Sequence, residues 1–197
     1  MDDISGVNII LAVDSTWGIG KLDMEKGPGM PWVQPGTAGL KTDMKRFADL
    51  TMGNTVIMGR TTWESIPARF RPLKGRDNLV ISTTATTSVT SLTSEVITCP
   101  SIDVAIDYHA GTDQRPPLAG SVFIIGGARL YDEAIKRDLV NRVYLTRILE
   151  PLEFGCNVHV KELEKALTTL FQRIEVQPDI TENGVRYRFE VWDRVTG

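Results

Sequence analysis

Apolar positions fall into several rhythms along this chain, and each rhythm predicts an element. Residues 7–13 (VNIILAV) are almost continuously apolar, the mark of a strand covered on both faces. From about Thr42 to Thr51 the spacing turns helical, with Leu40, Met44, Phe47 and Thr51 on one stripe. Thr55–Met58 predicts a second strand, which breaks at Gly59 into a helix starting over Thr61–Ile66. Asn78–Ser82 and the weaker Val96–Thr98 are further strands, and Ser101 is placed to cap a short helix over 102–109. Val122–Ile125 repeats the strand pattern, breaks at Gly126-Gly127 and opens a helix over 128–137; Arg142–Thr146 is again strand.

The C-terminal quarter changes character. Val185, Tyr187, Phe189 and Val191 alternate with Arg186, Arg188 and Glu190, which predicts a strand with one wet face. Glu182-Asn183-Gly184 between residues 172–177 and 185–193 is a tight-turn signal for an antiparallel hairpin. Residues 14–42 carry six glycines and three prolines and are expected to be mostly loop, long enough to suggest function. Residues 67–77 are a basic, proline-punctuated loop, and 110–120 a polar one. The Ser/Thr-rich stretch 82–94 is biased but too short for a disordered module. With no repeat and no linker, the expectation is one α/β domain over residues 1–197. Its mixed, mostly parallel sheet of about eight strands carries helices on both faces and a C-terminal antiparallel hairpin.

Composition narrows the classes. The chain has 197 residues, 42% hydrophobic and 24% charged, with a formal net charge of −3. That balance is ordinary for a globular protein and argues against a duplex nucleic-acid binder. Cys99 and Cys156 lack CxxC spacing, and His109 and His159 form no ligand pattern with them, so neither a structural zinc nor a disulfide framework is expected. The acidic N-terminus lacks a signal-type apolar region, and Ile9–Val13 is too short to span a bilayer. A soluble, cytosolic protein is the expectation.

Four features carry candidate chemistry. The two strand–glycine–helix steps, at Gly59 and at Gly126-Gly127, open free helix N-termini at the carboxyl edge of a sheet, where phosphate binds; beside Gly59, Arg60, Thr61 and Thr62 add a cation and two hydroxyls. The alternative is close helix–strand packing, and neither step matches a G-x-G-x-x-G or P-loop pattern. Asp43 lies beside the apolar stripe of its helix, either as a first-turn acid favoured by the dipole or as a partly buried carboxylate awaiting an amidine-like group. Arg69, Arg71, Lys74 and Arg76 form either a solvated loop or an anion clamp. Met30-Pro31-Trp32, ending the stretch that begins Trp17-Gly18-Ile19-Gly20, is either an anchor or a lid over an aromatic ligand.

Taken in order, these pieces resemble dihydrofolate reductase from Asn8 to Trp192. The resemblance rests on LAV…GIG at 11–20, Pro31-Trp32, Asp43 with Phe47 and VIMGRTTWESI at 56–66. It continues through RPLKGR at 71–76, NLVIS at 78–82, Ile125-Gly126-Gly127 with Tyr131, and Tyr144-Leu145-Thr146. The prolines at 67 and 72 and the length are more like eukaryotic members. The resemblance implies an oxidoreductase that reduces 7,8-dihydrofolate to tetrahydrofolate by hydride transfer from NADPH, serving one-carbon and thymidylate metabolism and open to antifolate inhibitors. It also implies a stand-alone cytoplasmic monomer with no nucleic-acid or membrane partner and no metal.

Residue by residue, the resemblance makes Asp43 the ionisable group of the pterin pocket, pairing with N3 and the 2-amino group. Trp32 would help position water near N5. Ile10, Leu11, Met44, Phe47, Ser65, Ile66, Leu73, Ile125, Tyr131 and Thr146 become substrate-side residues, and Arg76 the clamp for the glutamate tail. Ala12, Ile19 and Gly20 would hold the nicotinamide and Thr62 the pyrophosphate, with Gly59 and Thr61 also on the cofactor side. Arg60, Ser82 and Thr83 would take the 2′-phosphate, and Ile125 to Tyr131 (Gly126, Gly127, Ala128, Arg129, Leu130) the rest of the cofactor wall. Gly126-Gly127 corresponds to a cis peptide in the family.

There are departures. The stretches between Gly20 and Pro31 and between Pro35 and Asp43 are longer than usual, and Asn157-Val158 replaces a typical Asp-Thr pair that braces the lid. Alternatives remain: another NADPH-dependent reductase of this fold, such as the riboflavin-pathway pyrimidine reductase, a catalytically silent folate-binding module, or the reductase half of a synthase fusion. Asp43, Phe47, Pro31-Trp32 and Arg76 argue against the first, and an intact Asp43 against the second.

Overall fold

The first strand, β1 (Val7–Val13), sets the architecture, because both of its faces are covered. Its odd residues Ile9, Leu11 and Val13 enter one apolar layer, whereas Ile10 enters the opposite one, the alternation a pleated strand imposes. In this computed structural model the described residues are 6–23, 27–32, 39–83, 90–93, 96–151 and 154–195.

Along the chain β1 is followed by β2 (Gly18–Asp23), β3 (Gly27–Gly29), α1 (Lys41–Thr51), β4 (Thr55–Gly59), α2 (Arg60–Ser65) and β5 (Asp77–Ile81). Then come β6 (Thr90–Thr93), β7 (Val96–Cys99), α3 (Ile102–Ala110), β8 (Val122–Ile124), α4 (Ala128–Lys136) and β9 (Val140–Glu150). The chain closes with β10 (Val158–His159), α5 (Lys161–Thr169), β11 (Phe171–Val176), β12 (Ile180–Glu182) and β13 (Val185–Arg194).

The main sheet runs β11-β13-β9-β1-β8-β4-β5-β7-β6, with β12 added beside β13. Its centre, from β9 to β7, is parallel, and the C-terminal strands are antiparallel. This is the expected architecture, with the short β6 and β12 as additions. Helices cover both faces. Phe47 and Leu50 of α1 and Trp63 of α2 pack on Ile10, Val56, Met58, Phe123 and Tyr144. On the other face Ile102, Leu130, Ala134, Leu163 and Leu167 of α3, α4 and α5 pack on Ile9, Ile57, Leu79 and Leu145. Each such side chain contributes about 1.5–3 kcal/mol when fully buried.

The hairpin expectation holds: β11 and β13 pair antiparallel. The turn into β13 has Asn183 at φ 52° and Gly184 at φ 76°, the two left-handed residues of a type I′ turn. The cis Gly126–Gly127 peptide is present, together with cis bonds before Pro72 and Pro151.

Three expectations need correction. Residues 14–42 are not all loop, since β2 and β3 lie within them and form a small sheet with β10; their glycines interrupt side-chain alternation without preventing backbone pairing. Helix α5 had no counterpart in the sequence reading, although Leu163, Ala166 and Leu167 are buried at helical spacing. Glu190 is not on a wet face: it is 1% exposed, bonded by Arg188 Nε at 2.9 Å and Trp192 Nε1 at 3.0 Å beneath Arg173. Parts of both lengthened stretches, 24–26 and 33–38, and residues 84–89 and 94–95 of the Ser/Thr-rich segment lie outside the described residues.

Candidate active site

Asp43 occupies the third position of α1, following Leu40 at the N-cap. Thr146 on β9 is buried, and its Oγ1 donates to Asp43 Oδ1 at 2.6 Å. Register brings them together: Thr146 lies opposite Ala12 on β1 and Phe189 on β13. Burial pushes the Asp43 carboxyl above its ordinary value; the Thr146 bond and the Arg46 charge oppose this, and Glu182 adds to it. Arg46 lies with its guanidinium 4.4 Å from the Phe189 ring centre and 5.7 Å from that of Tyr144. Such a group, a desolvated acid held by one hydroxyl, suits an amidine-type partner and a proton transfer.

Around it, Ile10, Phe47, Ile66, Leu73 and Ile125 share the apolar layer under α1 and α2. Met44 is 47% exposed beside them. Trp32 is buried with Leu40 and Tyr187 and meets Phe154 edge-on, centroids 5.9 Å apart. The Tyr131 hydroxyl donates to the Ile10 carbonyl at 2.9 Å in the buried interior, and lack of water pushes its ionisation far above the ordinary range. Leu11 differs from expectation: its side chain belongs to the opposite layer, because successive residues of a strand point to opposite faces. Ser65 Oγ is turned to the Thr62 carbonyl at 2.7 Å, within its own helix.

Of the four loop cations, Arg76 alone reaches back to α1. Its Nη1 donates to Thr51 Oγ1 at 3.1 Å, its Nε to the Lys74 carbonyl at 3.1 Å, and its guanidinium stands 5.8 Å from the Phe47 ring centre. Arg69 and Arg71 instead stack on Phe70 and Trp63, and Lys74 is exposed. Arg76 is thus held in one orientation beside the apolar cleft, as a carboxylate clamp requires.

The second half of the site is backbone. Helices α2 and α4 begin side by side, with N-caps Gly59 and Gly127 that carry no capping side chain. Gly59 N–H donates to the Gly126 carbonyl at 2.8 Å, and Ile125 N–H to the Ile57 carbonyl at 2.9 Å. A Cβ on Gly126 would stand 3.1 Å from Thr62 Oγ1, and one on Gly127 3.3 Å from it. The cradle is shaped for close backbone approach by a phosphate-bearing group, to which the two uncapped helix ends present N–H dipoles. Arg60, Thr61 and the exposed Thr83 rim it, with Ser82 at the end of β5. Arg60 also lies 3.6 Å from Glu64. Ala128 and Arg129 start α4, whereas the Leu130 side chain turns into the core and its N–H is spent on the Gly127 carbonyl.

Gly18–Gly20 belong to β2, which pairs with β10 and β3. Ile19 packs on the layer formed with α4 and α5, and Gly20 accepts from Asn157 N–H at 3.1 Å. The Asn157 side chain also holds β2. Its Oδ1 accepts from Leu22 N–H at 2.8 Å and its Nδ2 donates to the Leu22 carbonyl at 3.0 Å, so the amide holds both backbone groups of one β2 residue. Sequence reasoning missed Arg46, Asp14 and Glu182. For the first two a charge within an apolar pattern was a usable signal; for Glu182 there was none.

Comparison with known proteins agrees with this geometry. The family model described as dihydrofolate reductase matches residues 6–194. The dihydrofolate reductase of Schistosoma mansoni is 36% identical over 195 residues, covering 95% of both chains. A solved structure of the Schistosoma mansoni enzyme superposes with a TM-score of 0.75 at 33% identity, covering 97% of this chain and 99% of that one. A bifunctional dihydrofolate reductase-thymidylate synthase of Arabidopsis thaliana is 34% identical over 95% of this chain but only 34% of its own length. The chain belongs to the dihydrofolate reductase family.

Proposed function

We propose that the dihydrofolate reduction this chain carries out as a family member draws its hydride from NADPH and its proton through Asp43. The observation that carries the reading is the Thr146–Asp43 hydrogen bond, because it fixes a carboxyl whose burial raises its affinity for a proton. The Asp43 carboxyl would pair with the pterin N3 and 2-amino edge through both oxygens, Oδ1 keeping its bond from Thr146. A proton passed from there to N5 places positive charge on that atom, and hydride adds readily to C6 only when the neighbouring C=N bond becomes iminium-like. Trp32, anchored in the core, borders the path for the water that carries the proton on. Phe47 and Ile66 sandwich the ring and benzoyl group, and Arg76 holds the tail carboxylate.

The residues present fit a dinucleotide. The glycine cradle at 126–127 and the two uncapped helix ends would receive its pyrophosphate, with Thr62 beside them, and Arg60 with Ser82 and Thr83 its 2′-phosphate. Ala12, Ile19 and Gly20 border the nicotinamide. When bound, the cofactor supplies a hydride; the protein's part is to orient the two rings and exclude water. The enzyme acts in the cytosol as a monomer and is inhibited by antifolates that compete for Asp43.

The test is to mix protein with dihydrofolate and follow NADPH absorbance, then repeat with NADH and with Arg60→Ala. Consumption of NADPH with a strong preference over NADH is expected, the preference narrowing in the variant. Absence of NADPH oxidation would overturn the reading, and an unchanged ratio would move the phosphate pocket elsewhere.

A further inference from the structure

Helix α1 begins without the help its sequence would normally give it. The N-cap is Leu40, whose side chain accepts no hydrogen bond, although the first-turn amides of a helix need acceptors. The acceptor comes from 140 residues away. Glu182, the last residue of β12, takes the Thr42 N–H on both carboxylate oxygens, at 3.3 and 3.2 Å, and the Thr42 hydroxyl at 2.7 Å. The buried Tyr187 of β13 donates its hydroxyl to the same carboxylate at 2.6 Å. One residue further on, Asn183 Nδ2 donates to the Gly39 carbonyl at 2.7 Å. The β12–β13 turn therefore holds the chain at Gly39 and Thr42, on the approach to Asp43.

We propose that Glu182 is a positioning residue for the reaction, fixing through Thr42 the first turn of α1 and thereby the place and electrostatic surroundings of the Asp43 carboxyl. This rests on the assignment of Asp43 as the proton-handling group. A merely structural cap would need no charge, since a neutral amide also accepts. Here the cap is anionic by construction: burial disfavours its charge, but the bonds from Tyr187 and Thr42 and the charge of Lys41 outweigh that and hold Glu182 below the usual carboxylate range. It stays ionised across the pH range of turnover.

Among the described residues, the groups facing Asp43 come from α1, β9, β12 and β13. Arg46 on its own helix favours the anion, the Thr146 hydroxyl on β9 bonds it, Glu182 disfavours it, and Tyr187 completes the hairpin side. Arg46 is in turn partly engaged by Glu175 of β11 and Tyr144 of β9. Glu182 is thus the one carboxylate among these neighbours that opposes ionisation of Asp43, working against Arg46, and it does so from a β-turn.

The test compares Glu182→Gln, which retains an acceptor for Thr42 but removes the charge, with Glu182→Ala, which removes both. Wild-type turnover and its loss in Asp43→Asn are measured first, in the same assay. If the wild type shows no dihydrofolate-dependent oxidation of NADPH, or Asp43→Asn behaves like it, the assignment of Asp43 fails and the inference with it. With that control in place, Glu182→Gln should keep Tm within about 2 °C of wild type while the alkaline limb of its kcat/KM profile moves to lower pH. Turnover at pH 7.5 should fall about threefold to tenfold, the range of a single perturbed charge interaction. Glu182→Ala should add a Tm loss of about 2–4 °C, as for a lost cap in a domain of this size. A Glu182→Gln profile superimposable on wild type would overturn the proposal, leaving Glu182 as a cap alone; Glu182→Asp, which keeps the charge, should restore the position of the limb.

Discussion

Asp14 and Asp43 are both carboxylates withdrawn from water near the edge where β1 and β9 end, yet the protein drives them in opposite directions. Burial pushes each upward. At Asp14 that push is outweighed by the Thr16 hydroxyl at 2.7 Å, the N–H groups of Gly18 and Thr16 at 2.9 Å each, and the Cys156 thiol. Asp14 therefore ionises below its ordinary value. At Asp43 one hydroxyl and the Arg46 charge are set against burial, and burial wins. Donors and desolvation together separate the two: Asp14 sets more donors against a smaller burial penalty, Asp43 fewer against a larger one. Asp14 is an anion whose Oδ1 staples the turn before β2 while its Oδ2 is buried without a partner among the described residues. Asp43, held by one hydroxyl, keeps a raised proton affinity, as a group that must exchange a proton with a ligand does.

The sharpest break of this comparison is Asp43→Asn. It should cut turnover at pH 7 by about 10²–10⁴-fold, the usual contribution of acid–base catalysis, with partial recovery in acid, where solvent protonates the substrate. A loss independent of pH would make Asp43 structural like Asp14. Asp14→Ala is expected to act mainly on stability. Removing a buried acceptor from four donors costs about 2–4 kcal/mol, read as a Tm lower by about 5–10 °C; an unchanged Tm would dissolve the distinction. Thr146→Val removes the one hydroxyl that holds Asp43. Turnover should fall about tenfold, as for a lost hydrogen bond to a charged group, and the alkaline limb should move to higher pH.

The smallest effect is the most diagnostic. At pH 8 Asp43→Asn should melt a few degrees above wild type, because it relieves a carboxyl whose ionisation folding disfavours, at about 2–4 °C per kcal/mol for this chain length. The signs follow from linkage. Asp14 has a lowered folded value, so its stabilisation is present above its unfolded value near 3.8 and is lost as pH falls through the folded one. Asp43 has a raised folded value, so its cost is absent below 3.8, grows as pH rises from there through the folded value and is constant above it. Urea melts of wild type and Asp43→Asn should therefore converge below about pH 3.8 and separate at pH 8. Parallel curves at every pH would contradict the raised value.

The parts of this molecule legible in one dimension are those whose physics is local. Strand β1 declares itself by seven nearly continuous apolar residues, and the I′ turn by Asn183-Gly184, since few residues tolerate φ above zero. Helix α5 was legible too, through Leu163, Ala166 and Leu167, and went unread. Strands β2 and β3 were not, because glycine carries no side chain to alternate. Motif order located Asp43, Arg76 and Gly126-Gly127. It could not say which way Leu11 and Leu130 turn, nor that Ser65 satisfies its own helix.

By itself the sequence determined the helix and strand periods, the glycine breaks at the sheet edge and the identity of the acid on α1, all properties of neighbouring residues. Only the tertiary structure decided what that acid is. Thr146 stands 103 residues from Asp43 and Glu182 a further 36 along the chain, and β9 and the β12–β13 turn meet α1 only after the sheet has assembled. A proton affinity is the sum of desolvation, donors and charges gathered in space, and no stretch of chain contains that sum.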